Sequence, residues 1–417
     1  AGRRRTLWAV LDFMDFDLAM VRTIENQITD TCKIPLRHIH ILTTHNHGAG
    51  EVSQLNAIKI ADMVAMASRM AQRDAVPARM RACSIDVSEK INLIRRLYIP
   101  EIKGSESVFW GPCESNGFNA VPFLRPEIQK LLKSPDRPRV LEPTDPNLTV
   151  IEFQAIAGQS LGVIVRFAAH AVCCNLPEYY SSDYPFFVRQ AVEKSLNSPI
   201  ALFMNGPCAD IAPAILNKKS NYERIIGDFL GNKAAENVKN IELEPLTYFA
   251  DFARSVKLPV RPEMQGENVF ELTLLNNLTP EENKKQNDRV MLHGLFNFLA
   301  AKLRNGDAPG GRKSITVELG GLSLNGWSIL AFPGETFSAT ADFEATNLIT
   351  ATEHGRTAMY IPPAGEFSRG GYEPSCCLTT SDGEKILRRN AEQLLDQMLN
   401  ARAEHNKGNR NMSGKKS

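Results

Sequence analysis

Four of the eight histidines in this 417-residue chain fall between positions 38 and 47, as His38, His40, His45 and His47. His38 and His40 belong to the apolar run HIHIL, where a strand would put them on one face. They are read as surface or hydrogen-bonded histidines. His45 and His47 lie past the end of that strand, where Gly48 and Gly50 let a ligand come close to the backbone. His170 closes a second apolar strand, VIVRFAAH, and Glu335 follows a third, WSILAF, within FPGE. Each has an ordinary structural role available: a loop HxH pair, a satisfied core histidine, the acidic first turn of a helix. Taken together, three strand ends carry His, His and Glu. Two imidazoles and a carboxylate are a common protein ligand set for catalytic Zn²⁺, because three ligands leave a position open to water or substrate.

The elements that must bring these ends together can be read from periodicity. LWAVLDFMDF (7–16) is a strand, DLAMVRTIENQITDTC repeats apolar residues at helical spacing, and HIHILTTH (38–45) is a second strand. Strand, helix, strand is the βαβ unit of a parallel sheet, whose ligand sites lie beyond the carboxyl ends of the strands. LNAIKIADMVAMASRMAQRD (55–74) predicts an amphipathic helix with its Met and Ala residues buried. ACSIDVSEKI predicts a strand, and residues 101–147, rich in Gly, Pro, Ser and Asn, an irregular surface excursion. A hairpin is expected over 148–170, a helix over 184–197 and a buried strand over 199–206. The stretch 217–310 is charged and helical in pattern, including NKKQNDRVMLHGLFNFLAAKL. Two strands, SITVELGGLSL and GWSILAFPG, then precede a helix around 337–352, the strand RTAMYIP, the loop SRGGYEPS and a last helix over 383–404.

With 48 Lys+Arg against 47 Asp+Glu, the chain lacks the charge of a nucleic-acid binder. No run of about 18 apolar residues suggests a membrane span. AGRRRTLWAV has no apolar signal region, and the absence of an initial Met points to a processed or trimmed start. The eight cysteines show no CxxC pair and are read as core or free thiols.

The ordered motifs resemble the neutral/alkaline ceramidases and their shorter bacterial relatives. TTHNHGAG (43–50) is similar to that family's THTHSGP, and FAAHAVCCN with SSDY (167–184) to its FAxHPTxxN…SSD. NGPCADIAP (205–213) is similar to GDVSP or GDINP, FPGETF (332–337) to PGEFTT, and YIPPAGEFSRGGYE (360–373) to YVTTxEEYxxxxYEG. The resemblance implies an α/β fold, with a mixed, largely parallel β-sheet core and flanking helices. It implies one such domain over residues 1–404, short at its N-terminus, with a helical insertion at about 217–310 and a disordered basic tail at 405–417. It further implies Zn²⁺ held by His45, His170 and Glu335, His47 beside the metal as proton shuttle or oxyanion stabiliser, and hydrolysis of the amide bond of a small-molecule or lipid substrate. Tyr372 is a further catalytic candidate, and Asp210 either orients a ligand or caps a turn. Two departures stand out: Ala212 replaces the family's serine, and Thr357 stands where the family has a metal-binding tyrosine. No counterpart of the family's Asn-Arg segment is evident. A degenerate, non-hydrolytic relative that binds a ligand or partner is the alternative.

Overall fold

Asp17 starts the first helix for a local reason: its carboxylate accepts the Met20 amide at 2.7 Å. In this computed structural model the chain is described over residues 5–49, 54–87, 89, 91–112, 118–122, 128–132, 145–174, 180–214, 221–262, 313–356 and 358–413. The elements run β1 (Leu7–Leu11), α1 (Leu18–Cys32), β2 (Ile39–Thr43), α2 (Gln54–Arg73), β3 (Ala78–Asp86), β4 (Asn92–Ile94), β5 (Arg96–Ile99), β6 (Gly104–Pro112), β7 (Phe118–Pro122), α3 (Gln129–Leu132), β8 (Asn147–Ala155) and β9 (Ser160–Phe167). They continue with α4 (Asp183–Leu196), β10 (Ala201–Asn205), β11 (Ile211–Pro213), α5 (Tyr222–Val238), β12 (Glu244–Pro245), β13 (Phe249–Pro259), β14 (Ser314–Leu324), β15 (Trp327–Ala331), β16 (Glu335–Thr336), β17 (Leu348–Ala351) and β18 (Tyr360–Ile361). Three helices close the chain: α6 (Ala364–Arg369), α7 (Tyr372–Ser375) and α8 (Gly383–Ser413).

β1 and β2 pair in parallel across α1, which buries Met20, Val21, Ile24, Ile28 and Cys32 along one stripe. The sheets are mixed and not largely parallel. In the five-stranded sheet, ordered β10-β9-β8-β3-β12, only β9 and β10 run parallel, and in β13-β14-β15-β17 only β15 and β17 do. The physical reason is the hairpins: short links such as Gly158, at φ 95, return the chain antiparallel, which a βαβ crossover does not.

Four further expectations change. Residues 101–147 contain β6 and β7, which extend β5 into an antiparallel sheet. On α2 the methionines face outward: Met63, Met66 and Met70 are exposed, while Ala61, Ala65 and Ser68 are buried. Small residues on that face allow α1 to approach closely. The helix expected around 337–352 is a short 3₁₀ turn, Ser338–Ala341, followed by β17. The described part of 217–310, expected as a helical insertion, holds strands β12 and β13 as well as α5. α5 packs on α4 so tightly that a Cβ on Gly227 would come 2.3 Å from the Cβ of Phe187, and β13 pairs with β14 along its whole length. NKKQNDRVMLHGLFNFLAAKL lies outside the described residues, and α8 continues to Ser413, into the expected tail. The seven described cysteines are free. No helix among the described residues is long and apolar enough to cross a membrane.

The core consists of apolar clusters on either side of these sheets. Ile24, Ile28, Ile39 and Ile41 join α1 to β2, and Val165, Phe203, Val188 and Leu230 join β9 and β10 to α4 and α5. Leu319, Leu330, Leu387 and Leu394 join β14 and β15 to α8. Between them, Leu42, Ile151, Met204 and Ile329 pack the sheets together. This layering carries the ends of β2, β9 and β15 to one place.

Candidate metal centre

His45 occupies the left-handed region at φ 55, a strained conformation for a side-chain-bearing residue that turns the chain sharply at the end of β2. The turn is held from both sides. Thr44 and Asn46 donate their amides to Leu11 and Phe13, and His47 donates to Ala171 beside the end of β9. Gly48 is required because a Cβ there would lie 2.8 Å from the Ser181 carbonyl. The SSDY motif secures the second loop. Asp183 accepts the Cys174 amide at 2.6 Å, and the Tyr184 hydroxyl donates to the Ala169 carbonyl at 2.7 Å, next to His170. Asn205, at the end of β10, bridges the two loops: its amide donates to Thr44 at 3.2 Å and its carbonyl accepts from Ala169 at 3.4 Å. Glu335 is placed by its amide, which donates to the Met359 carbonyl, and by the pairing of β16 with β18.

These loops bring four side chains together. Glu335 Oε2 lies 3.1 Å from His170 Nε2 and 3.3 Å from His45 Nε2, and His47 Nε2 lies 3.2 Å from His45 Nε2. The three imidazoles have ring nitrogens within 4.8 Å of one another. His45 and His170 are buried, whereas His47 is partly exposed, so the cluster opens on the His47 side.

The donor chemistry fits a divalent transition metal. Both buried rings have their Nδ1 atoms facing acceptors: His170 Nδ1 lies 2.6 Å from Cys208 O and 3.0 Å from Ile211 O, and His45 Nδ1 lies 3.1 Å from Met14 O and 3.4 Å from Glu353 Oε1. Protons on the two Nδ1 atoms leave both Nε2 lone pairs turned towards Glu335, which is how backbone and carboxylate acceptors commonly orient metal-bound histidines. Burial lowers His170 to a pKa of about 4, helped by Arg95, and burial with the charges of His45 and His170 holds His47 well below its usual value. Burial opposes charge on His45 too, but Glu335 and Glu353 outweigh it and push the pKa up to about 9. Burial opposes ionisation of Glu335, yet His45 and His170 hold it well below the carboxylate range. The two carboxylates beside these rings thus demand a positive charge, and either a proton on His45 or a cation between the rings supplies it.

No family model matches the chain, and no curated protein matches it in sequence. Solved structures do match. A ceramidase complexed with C2 superposes with a TM-score of 0.63 at 14% identity, over 94% of this chain and 67% of that one. Neutral ceramidase from Pseudomonas aeruginosa gives 0.62 at 16% identity, over 94% of this chain and 66% of that one. The fold is the ceramidase fold. The chain spans about two thirds of the length of either structure.

Within this ceramidase fold, the other expected residues occupy distinct places. Asp210 directs both carboxylate oxygens at Ser338, accepting its amide at 2.9 Å and its hydroxyl at 2.7 Å, so it caps the 3₁₀ turn. Tyr372 packs edge-on against Tyr360, ring centres 5.5 Å apart, and burial, with Cys376 and Glu335 nearby, holds its phenol well above its usual pKa. Ala212 is buried in β11 opposite Leu93, and Thr357 lies outside the described residues.

Sequence reading missed three contributors. Arg95 lies partly buried beside the centre, donating to Glu373 at 2.9 Å and to the Tyr360 hydroxyl at 3.0 Å, with its amide on the Asp210 carbonyl. Its signal was the Arg95-Arg96 pair inside the otherwise apolar INLIRRLYI, since buried arginines need carboxylate partners. Asn205 and Glu353 carry no comparable local signal.

Proposed function

We propose that this chain is a zinc-dependent hydrolase that cleaves the amide bond of a ceramide-like or other N-acyl substrate. The observation that carries the reading is the convergence of His45 Nε2, His170 Nε2 and the Glu335 carboxylate, with both imidazoles oriented through Nδ1. Bound there, zinc would supply Lewis acidity and make water more acidic at neutral pH. His45, His170 and Glu335 hold the ion. His47, 3.2 Å from His45 on the open side, accepts the proton of the attacking water and returns it to the leaving nitrogen. Tyr372, kept protonated by burial, donates to the oxyanion formed at the carbonyl. Arg95 orients Tyr360 beside Tyr372, and Asp210 is a positioning residue whose carbonyl holds the Arg95 amide.

The solved neighbours are ceramidases, which supports a lipid amide over a soluble peptide as substrate. A panel of N-acyl sphingosines, N-acyl ethanolamines and N-acyl amino acids, assayed for released fatty acid, tests the class. Turnover is expected on at least the N-acyl sphingosines. The second reading, a ligand-binding relative without turnover, is favoured by Ala212, which removes any serine nucleophile from β11. It predicts saturable binding of the same amides with no fatty acid released by the zinc-loaded protein, and that outcome would displace the hydrolase reading.

A further inference from the structure

His40, read from sequence as a surface or hydrogen-bonded histidine, is hydrogen-bonded and fully buried. On the far side of β2 it meets His354, with His40 Nδ1 3.0 Å from His354 Nε2, and both rings are buried. The opposite edges of the two rings are anchored on acceptors. His40 Nε2 lies 3.0 Å from Asp251 Oδ1, and His354 Nδ1 lies 3.0 Å from the Glu318 carbonyl. Asp251 is itself fixed by Thr6 at 2.8 Å and His38 at 2.7 Å.

Proton counting exposes the consequence. The Asp251 contact requires a proton on His40 Nε2, and the carbonyl contact requires one on His354 Nδ1. Two neutral rings then have no proton left for the contact between them, and two lone pairs face each other at 3.0 Å. The gap closes either with an added proton or with a metal ion. A third donor is at hand: a Glu318 carboxylate oxygen, on β14, and one ring nitrogen from each of His40 and His354 all lie within 4.8 Å of one another. Glycine at 320 keeps one side clear, since a Cβ there would come within 2.9 Å of both His40 Nδ1 and His354 Nε2.

We infer that His40, His354 and Glu318 form a second site for a divalent transition metal, with Asp251 and the Glu318 carbonyl as the outer groups that orient the two rings. Imidazole and carboxylate donors of this kind suit Zn²⁺ or Co²⁺. The site lies apart from the His45 cluster and shares no ligand with it. Its role is structural, tying β2 to β14 and to the segment after β17.

Titration of metal-stripped protein with Co²⁺, followed by visible absorption and metal analysis, tests the assignment. The unmodified protein is expected to take up two equivalents, His45→Ala to keep the one held at His40, and His354→Ala to lose it. Glu318→Gln, a milder change on a partly exposed strand residue, decides the matter if His354→Ala does not fold. Its second equivalent is expected to bind at least about 10²-fold more weakly, beyond the loss typical of outer-shell changes. The inference is overturned if Glu318→Gln and the folded His354→Ala protein bind as many equivalents as the unmodified chain, with unchanged affinity. Failure of the His45 centre would read differently, as one equivalent in the unmodified protein that His45→Ala leaves in place.

Discussion

Replacing His170 with alanine is expected to remove zinc from the His45 cluster and to lower amide hydrolysis by at least about 10³-fold, because without the ion a water of pKa near 15.7 must be activated by imidazole alone. His170 is the deepest of the ligands, 1% exposed, with its Nδ1 edge held by two carbonyls. Its removal leaves Glu335 facing His45 alone, and a His45 proton then neutralises that pair as an ion would. Metal analysis and initial rates of fatty acid release, on protein whose circular dichroism matches the parent, give the comparison. Retention of both metal and rate in the folded variant would exclude His170 as a ligand. His47→Ala provides the contrast, since a proton-transfer role predicts a rate loss of about 10²–10⁴-fold with the zinc still bound.

The second large effect concerns stability. Glu373 is fully buried and holds two arginines: Arg95 donates to it at 2.9 Å, Arg96 at 2.6 Å, and Ser107 adds a hydroxyl at 2.5 Å. Arg96 retains Glu366 at 2.7 Å, but among the described residues Arg95 has no second carboxylate in its hydrogen bonds. Glu373→Ala therefore leaves a guanidinium that is only 12% exposed without its hydrogen-bonded carboxylate, and the expected loss is about 3–5 kcal/mol of unfolding free energy in denaturant titration. Glu373→Gln keeps the shape and one acceptor and should lose less. Because Arg95 also holds the Tyr360 hydroxyl, both variants are expected to lower turnover in the protein that remains folded. A loss below about 1 kcal/mol for Glu373→Ala would show that the arginines are solvated and not dependent on this carboxylate.

These two sites differ in how far the sequence reveals them. The clustering of His45, His170 and Glu335 was legible because each sits in its own local signal: His45 past a five-residue strand, His170 past an apolar one, Glu335 in a strand-ending FPGE. Strand periodicity, the capped first helix and the hairpin over 148–170 depend on neighbours along the chain, and these could be read directly. Pairings across long separations could not. Arg95 and Glu373 are 278 positions apart, and His40 and His354 are 314. Nothing in IRRL or in TEHG names the partner.

Other misreadings share a cause. The methionines of α2 follow a helical stripe, but which stripe packs inward was decided by the closer fit of Ala61 and Ala65 to α1. Residues 101–147 read as irregular because they are rich in Gly, Pro, Ser and Asn, yet Gly104 and Pro112 bound a strand whose pairing with β5 is fixed by tertiary context. Among the described strands, the parallel pairing implied by the opening βαβ unit holds there and at three other pairs, β9 with β10, β15 with β17 and β16 with β18.

The most direct test of the central claim is the rate of fatty acid release from an N-acyl sphingosine by the purified chain, before chelation, after removal of metal, and after zinc is restored. Turnover that vanishes on chelation and returns with zinc, and that returns neither in His45→Ala nor in Glu335→Ala, is the predicted result. Turnover that persists in the metal-free protein, or that zinc restores equally in those variants, would contradict it.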